Sequence, residues 1–400
     1  MTGRSTGNNK YLKELNQAVI LDLIRIHRSI SKAELSKITG LSPTAIGIIV
    51  SGLLQDGYIH ETGTGESRGG RRPVMIELKP RSFYSIGVDL DVNYVNIMLV
   101  DITGSIIHEG SIQLGGDISV EAVMNTISGS ISAVLRNFSI GTDKLLGIGI
   151  SVAGMVDVDS RNVILAPNLG WENADIRQYF KEFEGIPVFV ENEAMASAIC
   201  ENWIGSCQGI RNFICINVKS GVGAGIYIDG NLYRGSGGNA GEIGHITVDE
   251  NGQKCGCGNY GCLETFAATS RLVERAVRLV KQGTASSLSG IEIAEDITID
   301  SVVDAARAGD DAAKSILNEA ARYLGIAISN IVNTLNPSRI VIGKDFIKYA
   351  DLVLDVVKGV VENKALKASA AKVEIMASEA GEKVSALGAA IIPLKAIFGR

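Results

Sequence analysis

Proline is scarce in this 400-residue chain. Seven residues are too few for Pro-rich linkers. No uninterrupted apolar run approaches the roughly 18 residues that a spanning helix needs, so no membrane partner is expected. The first fifteen residues, MTGRSTGNNKYLKEL, are polar and lack the apolar segment of a secretory signal. A cytoplasmic location is therefore expected, with the six cysteines serving as thiols or metal ligands rather than disulfides. What is present is a globular balance, 46% hydrophobic and 20% charged, which excludes a disordered chain. The length fits two to four domains. The 46 glycines imply tight turns and close backbone approaches.

The net charge of −6 conceals an asymmetry. Residues 1–82 hold 12 Lys and Arg against 7 Asp and Glu, a balance of +5, and the remainder holds 26 against 37, a balance of −11. A small basic head on a large acidic body suggests that only the head meets a polyanion.

Within the head, Val19, Ile20, Leu23, Ile24 and Ile26 lie on a broad apolar helical face over residues 16–28. Ser31-Lys32-Ala33-Glu34 is a capping box that opens a second helix, and Thr39-Gly40 stops it. Ser42-Pro43 joins an N-cap to proline at the first helical position, and a third helix runs on to Gln55. Helix, tight turn, helix is helix-turn-helix spacing. Tyr58-Ile59-His60 and Val74–Leu78 read as strands around a Gly- and Arg-rich loop, a wing. The third helix is expected in the major groove of double-stranded DNA, with Ser42, Thr44 and Ala45 nearest the bases. Lys32 is expected on phosphate. Arg68, Arg71 and Arg72 are placed to reach phosphate or a narrow minor groove. The same features suit three packed helices and a solvated basic loop, but cap, turn, apolar face and basic wing together favour DNA. Gly47, Ile48 and Ile49 give the third helix few long polar side chains, so direct base readout is expected to be sparse.

Beyond Pro80-Arg81-Ser82 the pattern becomes α/β. Strands are expected over 84–89, 94–101, 106–114, 145–152 and 187–190, with helices over 119–136 and 193–203. The order then repeats: strands over 212–218 and 225–228, helices over 269–282 and 300–333, a buried strand over 339–342, and helices over 346–362 and 380–398. Two such halves suggest two α/β lobes with a cleft between them, where small ligands usually bind. The expected domains are 1–80, 81–200 and 201–400.

The sharpest chemical signal is Cys255-Gly256-Cys257-Gly258-Asn259-Tyr260-Gly261-Cys262, with Glu242-Ile243-Gly244-His245 upstream. Three thiols alone are often buried packing residues. With His245, one of four histidines, they make a Cys₃His set for structural zinc. All four positions come from protein, so this zinc is not expected to activate water. Cys200, Cys207 and Cys215 stand singly and read as packing residues. If one ring nitrogen of His245 binds zinc, the other is fixed as a donor. The loop then presents Glu242, His245 and Glu264 to a polyol, since carboxylates suit vicinal hydroxyls.

The segment from Glu242 to Glu264 resembles the signature of the ROK family (repressors, open reading frames and kinases), and the resemblance extends over essentially the whole chain. Ser31-Lys32-Ala33-Glu34-Leu35, Thr39-Gly40-Leu41-Ser42-Pro43 and Gly69-Gly70-Arg71-Arg72-Pro73 resemble the head of the family's transcriptional repressors, particularly the xylose-repressor branch. The resemblance implies a winged helix-turn-helix followed by a two-lobed actin-like/hexokinase-like (ribonuclease H-like) ATPase-type fold. It also implies operator binding as a homodimer or homotetramer. The family's sugar residues map onto Gly154, Asn168, Asn192, Glu193, Glu242, His245 and Glu264.

Departures separate repressor from kinase. ROK kinases follow the strand with Asn-Asp, the Asp taking the sugar proton; here Glu193 stands there. One added methylene moves the carboxylate, and a misplacement of about 1 Å can cost on the order of a hundredfold in rate. The first kinase phosphate loop, Asp-x-Gly-Gly-Thr, reads Asp89-Leu90-Asp91-Val92-Asn93, with an added carboxylate that repels phosphate. The second loop is partly kept as Lys219-Ser220-Gly221-Val222-Gly223-Ala224-Gly225, and the Gly-Gly adenosine turn becomes Gly343-Lys344. Phosphoryl transfer rests on positioning and charge, so no catalytic residue and no ATP cofactor are expected. In the head, Gly47-Ile48 stands where the repressors usually carry Ser-Arg. The expected function is a repressor of sugar catabolism genes, released from its operator by xylose, glucose or N-acetylglucosamine in the cleft. The alternative is an ATP-dependent sugar kinase that also binds DNA.

Overall fold

The structure, a computed structural model, describes residues 9–64 and 72–399. Wing positions Arg68 and Arg71 lie outside the described residues. In the head, α1 (Asn9–His27) buries Ala18, Ile20, Leu21 and Ile24. Val19 and Ile26, expected on the apolar face, are 43% and 50% exposed. A helical step of about 100° per residue carries both to the opposite flank. After β1 (Ile30–Ser31), α2 (Lys32–Thr39) starts from the expected capping box: the Glu34 amide donates to Ser31 Oγ (3.2 Å) and the Ser31 amide to Glu34 Oε2 (3.0 Å). Ser42 caps α3 (Pro43–Gln55) by accepting from the Ala45 amide. Strands β2 (Ile59–Thr64) and β3 (Val74–Leu78) complete a sheet of order β1-β3-β2. Leu35, Ile46, Val50, Leu53, Ile59 and Ile76 fill its core. This is a winged helix-turn-helix.

Ser31→Ala removes the acceptor that pins the α2 amides, at a cost of about 1 kcal/mol. Hydrogen exchange of the full chain should then show roughly fivefold faster exchange in the first turn of α2. Unchanged protection there would remove the capping box from the stability of the head.

The described chain separates into two compact units: Met1–Val152, Val158–Val190 and Ala389–Arg400 form the first, and Ala153–Asp157 with Glu191–Gly388 form the second. After the head, the chain runs through β4 (Tyr84–Leu90), β5 (Tyr94–Asp101), β6 (Ile106–Gln113), α4 (Val120–Asn137) and β7 (Leu145–Val152). Then come β8 (Met155–Asp157), the antiparallel hairpin β9 (Asn162–Ala166) and β10 (Trp171–Asp175), and β11 (Val188–Asn192). The second half comprises α5 (Glu193–Trp203), β12 (Phe213–Val218), β13 (Val222–Ile228), β14 (Asn231–Tyr233), α6 (Glu264–Ala267), α7 (Thr269–Lys281), α8 (Ile299–Arg307) and α9 (Asp311–Leu335). It ends with β15 (Arg339–Lys344), α10 (Ala350–Lys364), α11 (Lys367–Ala370), β16 (Glu374–Ala377) and α12 (Val384–Ile397).

The two sheets share one topology. In the first, β4, β5 and β6 form an antiparallel meander, β7 runs parallel to β4, and the order is β11-β7-β4-β5-β6. In the second, β12, β13 and β14 form the meander, β15 and β16 are parallel additions, and the order is β14-β13-β12-β15-β16. The repeat expected from the strand pattern is therefore present. The helix expected over 300–333 is two helices, because Asp310 caps α9 through the Ala313 amide and interrupts the run. The core of the second unit packs Ile216, Ile340 and Ile342 of the sheet with Leu324, Ile328 and Val357 of the helices. Among the described residues, no helix is long and apolar enough to cross a membrane.

Candidate functional site

The Cys/His segment wraps into a tight loop. The Cys255 amide donates to the Asn259 carbonyl (2.7 Å) and the Gly258 amide to the Cys255 carbonyl (3.0 Å). Gly261 has φ +67°, and a Cβ there would run into the Asp249 carbonyl oxygen, so only glycine closes this turn. Tyr323 of α9 anchors the loop by donating to Asp249 Oδ2 (3.1 Å) while stacking on Phe266 with centroids 3.9 Å apart.

The donor atoms of His245, Cys255, Cys257 and Cys262 lie within 4.8 Å of one another. Cys257 Sγ is 3.7 Å from Cys262 Sγ, and Cys255 Sγ is 3.6 Å from His245 Nδ1. Tetrahedral zinc bonds of about 2.3 Å to sulfur and about 2.0 Å to nitrogen separate neighbouring sulfurs by about 3.8 Å and sulfur from nitrogen by about 3.6 Å. The cluster fits zinc in both spacing and donor chemistry. It also selects Nδ1 as the ring nitrogen on the sulfur side. Burial and the neighbouring thiols push Cys262 up to about 12 and burial raises Cys255, whereas a backbone hydrogen bond from Asn259 lowers Cys257. By contrast, Cys200, Cys207 and Cys215 are buried in packing positions, and burial raises all three thiols.

Two carboxylates flank this loop. Glu242 stands open to solvent at its rim. Protein crowded around its carboxyl nevertheless strips water and raises its pKa, while His245 pulls it down and Glu264 pushes it up. Glu264, at the first turn of α6, aims its carboxylate at Gly221, where a Cβ would come within 2.8 Å of Oε2. Glycine at the β12–β13 turn admits that side chain.

Asn192 is held rather than free. Its Oδ1 accepts from the Ala194 and Met195 amides, capping α5, and its Nδ2 donates to the Gly154 carbonyl (3.0 Å). One amide hydrogen is left for a ligand. Glu191 beside it is clamped by Arg234, with Nη1 2.8 Å from Oε1 and Nη2 2.5 Å from Oε2. Glu193, first residue of α5, has Oε1 2.8 Å from Lys344 Nζ. That lysine also donates to Ser385 Oγ, is 2% exposed and holds φ +60°, ψ −137°. Sequence reasoning missed Arg234 and the role of Lys344. The available signal was a charged residue closing the apolar run Ile340-Val341-Ile342-Gly343, where a glycine was anticipated.

The second unit thus brings together Glu242, His245 and Glu264, and separately Gly154 with Asn192. Asn168 sits exposed on the short turn Pro167–Leu169 of the first unit. In the first unit, Asp89 is buried and accepts from Ser151 Oγ (2.7 Å), and Asp91 Oδ1 accepts from the Val92 amide. In the head, Ser42, Thr44 and Arg72 are exposed. Lys32 Nζ lies 3.4 Å from Glu61 Oε1, a solvent-screened pair that phosphate can displace. The exposed face of α3 runs Thr44, Ile48, Ser51, Gln55, one helical stripe. Ser51 and Gln55 on it were not anticipated.

Comparison with known proteins agrees with this arrangement. The ROK family profile matches residues 85–396. The xylose repressor of Caldicellulosiruptor bescii is 33% identical over 384 residues, 96% of each chain. The crystal structure of a ROK family transcriptional regulator, a homolog of the Escherichia coli MLC protein, superposes with a TM-score of 0.84 at 28% identity, covering 97% of each chain. A ROK family glucokinase from Streptomyces griseus, solved with glucose and AMPPNP, gives 0.68 at 29% identity, covering 77% of this chain and 98% of its own. The body therefore has the actin-like/hexokinase-like fold. With the profile spanning most of the chain and the zinc-type loop, the duplicated sheets and the winged head all in place, this protein belongs to the ROK family.

Proposed function

We propose that the chain is a sugar-responsive transcriptional repressor. Its winged head binds operator DNA, and its second unit holds a monosaccharide at Glu193, Glu242, His245 and Glu264, with Gly154 and Asn192 as further contacts. The observation that carries this reading is the head itself. The regulator structure matches along 97% of this chain, whereas the glucokinase matches 77%. The exposed stripe on α3 gives the head a surface for the major groove, with Lys32, Ser42, Thr44 and the wing arginines Arg68, Arg71 and Arg72 on the DNA. The chain is read as a cytoplasmic homodimer or homotetramer, presenting paired heads.

Zinc, when bound by His245, Cys255, Cys257 and Cys262, supplies a structural clamp on the loop. His245 then keeps its second nitrogen as a fixed donor for a sugar oxygen. Glu242 and Glu264 accept from sugar hydroxyls. Asn192 holds the backbone at Gly154 and caps α5, which aims Glu193. No phosphoryl transfer is assigned. Glu193 is committed to Lys344, and Asp91 adds a carboxylate to the loop after β4. The sugar alters operator affinity by its different affinity for the two DNA-binding states of the protein.

The test is fluorescence anisotropy on the chain's own upstream DNA at fixed salt, titrated with xylose, glucose and N-acetylglucosamine. One sugar should release the complex. A complex that forms but ignores all three would remove this sensor reading, and sugar-dependent ATP consumption would restore the kinase. Glu242→Ala should leave operator affinity within about twofold while raising the sugar concentration for release at least about tenfold, one lost charge-assisted bond. A normal sugar response in that variant would place the ligand elsewhere.

A further inference from the structure

Glu191 is a carboxylate in an apolar setting. It stands near the end of β11, after Val188 and Val190, and is 2% exposed. A carboxylate is tolerated at such a place only when it is paired and hydrogen-bonded. Arg234 supplies the pair through both guanidinium branches, with Nη1 2.8 Å from Oε1 and Nη2 2.5 Å from Oε2. This is the fork that arginine makes and lysine cannot. Nη1 also lies 3.4 Å from Met195 Sδ of α5. Glu191 Oε1 has a second task, accepting from the Asn192 amide (3.0 Å). Asn192 in turn holds the start of α5 and the Gly154 carbonyl. Through Glu191, Arg234 thus braces the corner from which Glu193 projects.

The main chain of the same arginine holds a second segment. Its carbonyl accepts from the Ala240 amide (3.0 Å), which closes a loop over residues 235–240. Four of the seven residues 235–241 are glycine, and Gly235, Gly238 and Gly241 have positive φ. Such a loop has few side chains to hold it and the most backbone freedom to lose. It is anchored at its ends. One anchor is Arg234. At the other, the Gly241 carbonyl accepts from the Ala224 amide of β13 (2.8 Å), and a Cβ on Gly241 would collide with the Ala224 carbonyl. The next residue is Glu242. All of these residues belong to the second unit.

We propose that Arg234 is a positioning residue of the sugar site, tying the Asn192–Glu193 corner to the Glu242 loop and so fixing the two carboxylates without touching the ligand. This rests on the sugar-site reading above. A hydrogen bond weakens steeply once its geometry departs from the preferred one, and a loop that must be ordered by the ligand lowers affinity. One guanidinium that grips the corner with its side chain and the loop with its carbonyl removes both losses before the sugar arrives.

Two variants of the full chain separate position from fold. Arg234→Met strands Glu191 without a partner and should lower Tm by on the order of 10 °C. Arg234→Lys keeps the positive charge and loses the fork, so it should recover at least half of that loss. It should not recover the site. In Arg234→Lys, hydrogen exchange should speed up at least about fivefold in residues 192–195 and in residues 235–243 together. Calorimetry with xylose, glucose and N-acetylglucosamine should find one sugar that binds the wild type, and its dissociation constant should rise at least about tenfold in Arg234→Lys. An ion pair that serves stability alone would restore affinity along with Tm. Wild-type sugar affinity in Arg234→Lys therefore overturns the proposal, and so does faster exchange confined to one of the two segments. If the wild type binds none of the three sugars, the sugar-site reading falls and takes this inference with it. If the wild type binds and Arg234→Lys binds equally well, this inference falls alone.

Discussion

Replacing Cys257 by serine should drop bound zinc from one per chain to below about 0.1, and take the sugar response with it while operator binding survives. The effect is large because a structural zinc contributes folding free energy directly, about 10–16 kcal/mol in small zinc-binding peptides. A neutral hydroxyl replaces a thiolate poorly. Cys257 is the informative choice because it is exposed: serine opens no cavity in the core, whereas Cys255 and Cys262 are buried and would confound metal loss with packing loss. Without the clamp, the turns around Gly258 and Gly261 lose their tether, and His245 loses the partner that fixes its ring. The head is built from its own core residues, Leu35, Ile46, Val50 and Leu53, so operator affinity measured without sugar should stay within about twofold, inside the spread of surface substitutions. Metal analysis of the dialysed variant is the check. A full equivalent of retained zinc would remove Cys257 from the ligand set.

What was legible in the sequence was local. The Ser31–Glu34 capping box, Ser42-Pro43 before α3 and the Cys₃His spacing each sit within a few to twenty residues, where spacing dictates geometry. Leu145–Val152 and Tyr94–Asp101 read correctly because buried strands leave short, nearly continuous apolar runs. What escaped was set by partners far along the chain. Strand β1 is two residues long, and only pairing with β3 makes it a strand. Val19 and Ile26 looked like core residues but lie outside it, because a helix of scattered apolar residues does not say which flank its neighbours cover. The Lys344–Glu193 pair joins residues about 150 positions apart. In the sequence, an added methylene at Glu193 and a lysine in place of glycine are two separate departures from a kinase pattern. The fold makes them one feature, since the longer acid and the buried ammonium meet. Arg234 on Glu191 was hidden for the same reason.

Ile48→Glu should weaken operator binding by at least a hundredfold at fixed salt, about 2.7 kcal/mol, without loosening the head. Ile48 is 64% exposed, while Ile46, Ile49, Val50 and Leu53 of the same helix hold the core, so substitution at 48 opens no cavity. Glutamate is a better helix former than isoleucine, which keeps α3 intact. The loss is therefore electrostatic. If α3 lies in the major groove, position 48 sits one turn beyond Thr44 on the stripe that faces the duplex, and a carboxylate there meets base-edge acceptors and phosphates with no cation to mediate. Ile48→Ala should cost far less, about 1 kcal/mol, because it removes only apolar contact of the kind made with a thymine methyl. The contrast between the two variants carries the argument, since both delete the isoleucine and only one adds charge. Anisotropy on upstream DNA reads the affinity, and an unchanged Tm verifies the fold. Equal affinities for the two variants would mean that this face of α3 is not in the groove. Specificity would then have to come from the wing, where Arg72 is the described basic side chain.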